Sequence, residues 1–276
     1  MPVDQPNDER AEIGVIGGTG LYQLLDDARE IAPAASTPFG EPSEPPVVGR
    51  VGDGTVAFIP RHGRDHRLPP HRINYRANLW ALRSLGVRQV IAPCAVGSLQ
   101  PELSPGTFVV PSQLVDRTSG RAQTFFDTGA CHVAFADPYC PAGRAAVLRT
   151  ATGLGLNPVD GGTAVVVEGP RFSTRAESRW FAGLGWSLVN MTGHPEAVLA
   201  RELAMCYTAI ALVTDLDAGL DEAGGVTQGE VFRSFGEHLT ELSALVIAAV
   251  TALPASRTCP CPESLDGLTL PFALPE

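Results

Sequence analysis

Short apolar, β-branched runs alternate along the chain with amphipathic stretches. The first kind reads as buried strands and the second as helices laid on them. Strands are predicted at Ile13 to Ile16, Val47 to Val51, Val56 to Pro60, Val90 to Pro93, Thr107 to Pro111, Ala164 to Val167, Leu188 to Met191 and Ala209 to Val213. Such alternation is the sequence form of crossover units, so the predicted class is α/β: a single domain with a central mixed, largely parallel β-sheet flanked by helices.

Helices announce themselves at their ends. Asn74 to Leu85 closes at Gly86, Thr174-Arg-Ala-Glu177 and Thr227-Gln-Gly-Glu230 have capping-box form, and Pro195 sits in a first turn. The apolar stretch Ser243 to Leu253 is far short of the roughly 20 residues that cross a bilayer, and reads as a buried helix. No internal repeat is visible. The predicted organisation is a flexible N-terminus over residues 1–12, one domain over 13–253 and a loosely ordered Pro-rich tail over 254–276.

Composition narrows the partners. The chain has 276 residues, 44% hydrophobic, enough for a substantial core, and a formal charge of -10. An acidic balance argues against nucleic acid or an anionic membrane as partner, while leaving room for a small, specifically held anion. Met1 to Glu12 is polar and acidic, without the basic flank and apolar run of a signal peptide, so the expected location is cytoplasmic. The six cysteines, Cys94, Cys131, Cys140, Cys206, Cys259 and Cys261, lack paired CxxC spacing. They are read as buried free thiols with no metal, Cys259-Pro-Cys261 being the only close pair.

Six loops carry candidate chemistry. Gly14-Val-Ile-Gly-Gly-Thr-Gly20 runs from a strand into glycines whose backbone N–H groups can close on an anion, with the Thr19 hydroxyl as a further donor. It fits neither G-x-G-x-x-G nor G-x-x-x-x-G-K-[ST], and a plain strand-to-loop turn remains open. Arg61-His62-Gly63-Arg64-Asp65-His66 follows a strand; a planar guanidinium fork and an imidazole suit phosphate oxygens, whereas Arg64 and Arg67 read as solvated. Ala92-Pro-Cys-Ala-Val-Gly-Ser98 can line a pocket at a strand's C-terminal end. Val167 to Thr174 and Asn190-Met-Thr-Gly-His-Pro-Glu196 are strand-to-helix loops, and Val213-Thr-Asp-Leu-Asp217 puts two carboxylates on one face of an extended segment.

Taken in order, IGGTGL, RHGRDH, NYRAN, EGPRFSTRAES, NMTGHPEA and TDLD resemble the trimeric purine nucleoside phosphorylase family, most closely its 5'-methylthioadenosine phosphorylase branch, from about Gly14 to Leu253. The resemblance implies phosphate-dependent cleavage of a purine nucleoside, 5'-methylthioadenosine above all. It implies a pentosyltransferase with no cofactor, inorganic phosphate being a co-substrate, and a homotrimer. Thr19, Arg61, His62, the backbone at Ala95 and Thr192 stand at its phosphate ligands, with Cys94 where the branch usually has a phosphate-side Thr. Phe172 would pack on the purine and Met191 lie by the ribose. Asp215 and Asp217 stand at the carboxylates that meet N7 and the 6-substituent, and are the catalytic candidates.

Three further correspondences concern specificity. His132 matches a residue given to the neighbouring subunit's 5' pocket. Gln228, with Val231 on the same predicted helix, falls among the substrate-binding positions, at a place where an apolar 5'-pocket residue is usual. Gly193-His194 replaces the branch's usual pair. The 6-oxopurine branch typically has Asn at the position of Asp215 and Glu at that of Ser173, so both residues here point to adenine. The alternatives are a phosphorylase acting on adenosine or on methylthioinosine and other 6-oxopurine nucleosides, a hydrolytic nucleosidase, and a non-enzymatic nucleoside sensor.

Overall fold

The computed structural model describes residues 10–18, 21, 25–30, 37–218 and 225–275. In chain order the strands are β1 (Ile13–Gly17), β2 (Asp26–Glu30), β3 (Val47–Val51), β4 (Gly54–Pro60), β5 (Gln89–Ser98), β6 (Phe108–Val110), β7 (Gln113–Arg117), β8 (Val159–Asp160), β9 (Thr163–Val167), β10 (Leu188–Asn190) and β11 (Cys206–Leu216). The helices are α1 (Tyr75–Ser84), α2 (Pro141–Gly153), α3 (Arg175–Gly183), α4 (Gly193–Glu202), α5 (Gln228–Glu237) and α6 (Leu239–Ala252). The strands form one sheet in the order β2-β3-β4-β1-β5-β10-β9-β7, with β11 beside β5 and β6, and β8 beyond β6.

Alternation along single strands explains the two cores. Ile16, Ala57 and Ile59 face α1 and α4, packing with Leu79, Leu82, Ala197 and Leu199. Their neighbours Val15, Val56 and Phe58 face the other way, toward Ala146 and Val147 of α2 and Leu245 and Ala249 of α6. Both sheet faces are therefore covered, which is why these strands read as continuous apolar runs rather than alternating ones.

Strand β5 creates the site. On one flank it pairs in parallel with β1 only as far as Ile91, and antiparallel with β10 only from Gly97. On the other it is paired with β11 from Gln89 to Ser98. Between Ala92 and Val96 the first flank has no strand partner among the described residues, so the sheet opens where its neighbours change. In open α/β sheets such a crevice is where ligands bind.

Several elements differ from the sequence expectation. β5 and β11 run on to Ser98 and Leu216, because their polar ends gain each other as partners. β2, β7 and β8 were not predicted: β2 and β7 are the ends of the strand order and β8 pairs only with β6. Edge strands bury too little to need an apolar run. The tail is not loosely ordered: Phe272 meets Trp80 edge-on at 5.5 Å, and Cys259 and Cys261 are buried. At the other end Ala11 is buried and its N–H donates to Leu85 O; residues 1–9 lie outside the described residues. Among the described residues no helix is long and apolar enough to cross a membrane.

Candidate active site

The opening beside β5 holds a cavity of about 420 Å³, lined from Gly18, the Arg61 loop, the Pro93–Gly97 stretch of β5, the Pro170–Ser173 loop, the β10–α4 turn, the end of β11 and α5. One end is organised by a cation. Arg61 follows β4 directly and is completely enclosed. Its Nε donates to Glu196 Oε1 at 2.5 Å and its Nη2 to Glu196 Oε2 at 3.1 Å, while Nη2 also donates to Ile16 O and Nη1 to Pro93 O, each at 3.0 Å. Tyr207 Oη adds a bond to Glu196 Oε2 at 2.8 Å. Burial alone would lower the Arg61 pKa, but Glu196 outweighs it and holds the guanidinium above its ordinary value. The cation is permanent.

His62 departs from the expected role of donor. Its Nδ1 lies 2.9 Å from Leu68 O, a contact that requires the proton on Nδ1. Burial, with His66 and Arg61 nearby, pushes the imidazolium down to about 3, so the ring is neutral and presents Nε2 as an acceptor. His66 stacks on it at 4.0 Å and meets Phe232 of α5 edge-on at 5.6 Å. Cys94 is a thiol rather than a thiolate, burial pushing it up to about 11.

The β10–α4 turn is fixed by Asn190, whose Oδ1 accepts from the N–H groups of Thr192 at 2.8 Å and Gly193 at 2.6 Å. Those two donors are engaged, so Thr192 offers the cavity its hydroxyl. From behind, buried Arg121 ties Met191 O at 2.9 Å and His194 O at 2.8 Å to Glu168.

Carboxylates organise the other end. Asp215 and Asp217 both line the cavity, after a register shift between Val213 and Asp215. They approach Gly97 so closely that a Cβ there would lie 2.9 Å from Asp215 Oδ1 and 3.4 Å from Asp217 Cβ. Thr214 Oγ1 donates to Asp215 Oδ2 at 2.8 Å. Burial, then the charges of Asp217 and Glu230, push Asp215 up to about 6 despite Thr214. Asp217 is raised by burial against the pull of Ser173 and Ser178, and among the described residues its buried Oδ2 has no hydrogen-bond partner. A raised carboxyl beside an unsatisfied acceptor can give a proton to one atom and accept a hydrogen bond from its neighbour.

The structure thus brings Arg61, His62, Cys94, Ala95, Thr192, Phe172, Ser173, Met191, Gln228, Val231, Asp215 and Asp217 around one cavity. Thr19 lies outside the described residues. His132 is exposed and is not in the lining. Gly193 and His194 are not in the lining either; His194 is buried with its Nε2 3.3 Å from Asp116. Sequence reasoning missed Glu196, Asn190, Arg121 and His66. Only Arg121 lay outside the motifs already singled out: His66 closes the Arg61 run, and in the Asn190 run an acid in a first turn and an Asn before it read as capping residues.

Comparison with known proteins places the chain in a family. The chain is 60% identical over 264 residues to an S-methyl-5'-thioadenosine phosphorylase of Mycolicibacterium smegmatis, covering 95% of this chain and 99% of that protein. It is 57% identical over 280 residues to a purine nucleoside phosphorylase of Streptomyces coelicolor, covering 98% and 99%. A methylthioadenosine phosphorylase from an antarctic soil metagenomic library superposes with a TM-score of 0.88 at 37% identity, over 94% of this chain and 92% of that one. With a family model matched over residues 12–252, the chain belongs to the phosphorylase superfamily.

Proposed function

We propose that this chain is a cytoplasmic pentosyltransferase that cleaves the glycosidic bond of a purine nucleoside with inorganic phosphate. The substrate that fits best is 5'-methylthioadenosine, giving adenine and 5-methylthioribose 1-phosphate. One observation carries the reading: a single cavity has a buried cation bonded at Pro93 and two carboxylates packed on Gly97. Four residues of strand separate those points by roughly 13 Å. That span suits an anion, a sugar and a base in line.

Phosphate held by the remaining Nη1 N–H of Arg61 and the Thr192 hydroxyl, with its own O–H donated to His62 Nε2, faces the anomeric carbon. A phosphate oxygen bonds to C1' as the C1'–N9 bond breaks, and the bonding pair leaves with the purine. The ribose becomes transiently cationic, which the adjacent phosphate charge favours. Asp215 delivers its proton to N7 as negative charge grows on the base. The unpartnered Oδ2 of Asp217 accepts from a 6-amino group. A 6-oxo group would set acceptor against acceptor there.

His132, exposed and outside its own chain's cavity, is assigned to the 5' pocket of a neighbour in a homotrimer. The deciding experiment for the reaction is adenine release from methylthioadenosine with and without phosphate. Release should depend on phosphate and yield the sugar 1-phosphate; equal release in phosphate-free buffer with free sugar as product overturns the proposal. For the assembly, light scattering should report a trimer and His132→Ala should raise KM. A fully active monomer overturns it.

A further inference from the structure

Four cysteines that are dispersed in the sequence converge in space. Cys140 is the N-cap of α2, Cys206 opens β11, and Cys259 and Cys261 come from the tail. All four are buried. Their sulfur atoms all lie within 4.8 Å of one another, with Cys206 Sγ and Cys259 Sγ 3.4 Å apart. The Gly143 N–H donates to Cys140 Sγ at 3.4 Å, a contact that stabilises charge on a sulfur. The cluster lies far from the reaction: Cys206 and Asp215 are nine residues apart on one strand, roughly 30 Å.

We propose that these cysteines form a structural tetrathiolate site for a thiophilic divalent cation, Zn²⁺, that locks the C-terminal tail onto the α/β body. Zinc–sulfur bonds of about 2.3 Å in a tetrahedron set the sulfurs about 3.8 Å apart, within the spread seen here. All pairs being close is the mark of a common centre, since two disulfides need only two close pairs, each at about 2.05 Å. Four protein ligands complete the coordination and leave no open position, so the ion is structural. Binding converts four thiols to thiolates and releases four protons; no oxidant is involved.

The tail has reason to be fastened. Beyond the cysteines, Ser264 Oγ donates to Arg201 O at 2.8 Å, Arg257 Nη1 to Ala204 O at 2.8 Å, and Phe272 stacks on Phe126 at 5.7 Å. Among its described residues the tail forms no strand and no long helix, so side-chain contacts of this kind are what hold it. A metal bridging it to α2 and β11 turns a peripheral strap into part of the fold. The expectation that Cys259 and Cys261 bind no metal rested on spacing and on their place in a Pro-rich tail, and neither reports the two ligands supplied by the body.

The test uses the full chain expressed without a metal-affinity tag and purified under reductant. Elemental analysis should find about one zinc per chain, and a mercurial thiol reagent should release it stoichiometrically. Cobalt substitution should give the intense sulfur-to-metal charge-transfer absorption of a tetrathiolate centre. Cys259→Ser and Cys261→Ser should each lower metal content at least tenfold, lower Tm and expose the tail to protease, with kcat at low temperature unchanged. Two results overturn the proposal: a reduced wild-type chain that takes up no zinc or cobalt on reconstitution, or an intact mass showing that the chain isolated without reductant has lost hydrogens to disulfides at these cysteines. Both are read on the wild type, so the question is answered even if the serine variants fail to fold.

Discussion

Arg61 and Glu196 form a buried, two-pronged ion pair, with Nε–Oε1 at 2.5 Å and Nη2–Oε2 at 3.1 Å. The planar fork of the guanidinium, the feature that suits phosphate, faces a carboxylate of the protein instead. Counting the bonds to Ile16 O and Pro93 O, four of its five N–H donors are engaged. Toward the cavity Arg61 therefore offers a fixed charge with one remaining donor. Its position is set by Glu196 and by the sheet rather than by the ligand.

The pair should matter more to stability than to charge balance. Removing one partner of a buried ion pair leaves the other uncompensated, at a cost of about 3–5 kcal/mol. Glu196→Ala is expected to lose that much in urea unfolding at pH 7, and Tyr207→Phe, which deletes one hydrogen bond to the same carboxylate, about 1–3 kcal/mol. A loss below 1 kcal/mol for Glu196→Ala would show that the guanidinium finds solvent or another partner.

Asp215 makes stability depend on pH. Its carboxyl is pushed from 3.8 up to about 6, chiefly by burial, so the folded chain holds this proton more tightly than the unfolded one. Its contribution is fully present below about pH 4 and is lost as pH rises through about 6. Asp215→Asn cannot ionise and should gain on wild type across that window by up to about 3 kcal/mol. Urea titrations at pH 4, 6 and 8 measure it. A difference between the two proteins that does not change with pH would contradict the raised pKa.

How much of this was legible in the sequence depended on what each residue touches. β1 and β3 were read nearly to the residue because each is a short apolar run with buried residues on both faces, and the Thr174 and Thr227 capping boxes form as written, each with its Glu. The polar ends of β5 and β11 were not, since a strand that ends in an active site carries chemistry in place of an apolar run. The separate motifs revealed which groups meet the cavity. They could not reveal that Glu196 takes the fork of Arg61, that Asn190 takes two N–H groups of the α4 turn, or that Arg121 holds Met191 from behind. Those are contacts between distant segments, and polar residues in a helix or loop have no period that marks them as buried.

Gly97 tests how tightly the carboxylates are held. A methyl group there would sit 2.9 Å from Asp215 Oδ1, and the backbone of a central strand paired on both flanks cannot yield. Gly97→Ala should push Asp215 off its position against Thr214. The expected result is a fall in kcat/KM of tenfold or more, since small misplacements of a catalytic group are costly, with far-UV circular dichroism unchanged. Wild-type kcat/KM in this variant would mean that Asp215 can shift without consequence, and would argue against its role as the proton donor.

Base choice is the sharpest test of the carboxylate end. Asp215→Asn keeps the size of the side chain while removing the acid proton and placing an amide donor in the site. Losing general-acid help typically costs on the order of 10²–10⁴ in rate, so adenine nucleosides should suffer heavily. For a 6-oxopurine the same change supplies a matching donor, while Ser173 still offers no carboxylate and the unpartnered Oδ2 of Asp217 still opposes an oxo group. Its absolute rate should stay low as its relative rate rises. The quantity to measure is kcat/KM for methylthioadenosine divided by that for methylthioinosine, in wild type and in Asp215→Asn. The ratio should fall by at least tenfold, the equivalent of one matched hydrogen bond at about 1.4 kcal/mol. If it does not move, Asp215 does not read the base, and the discrimination must lie with Asp217 and Ser173.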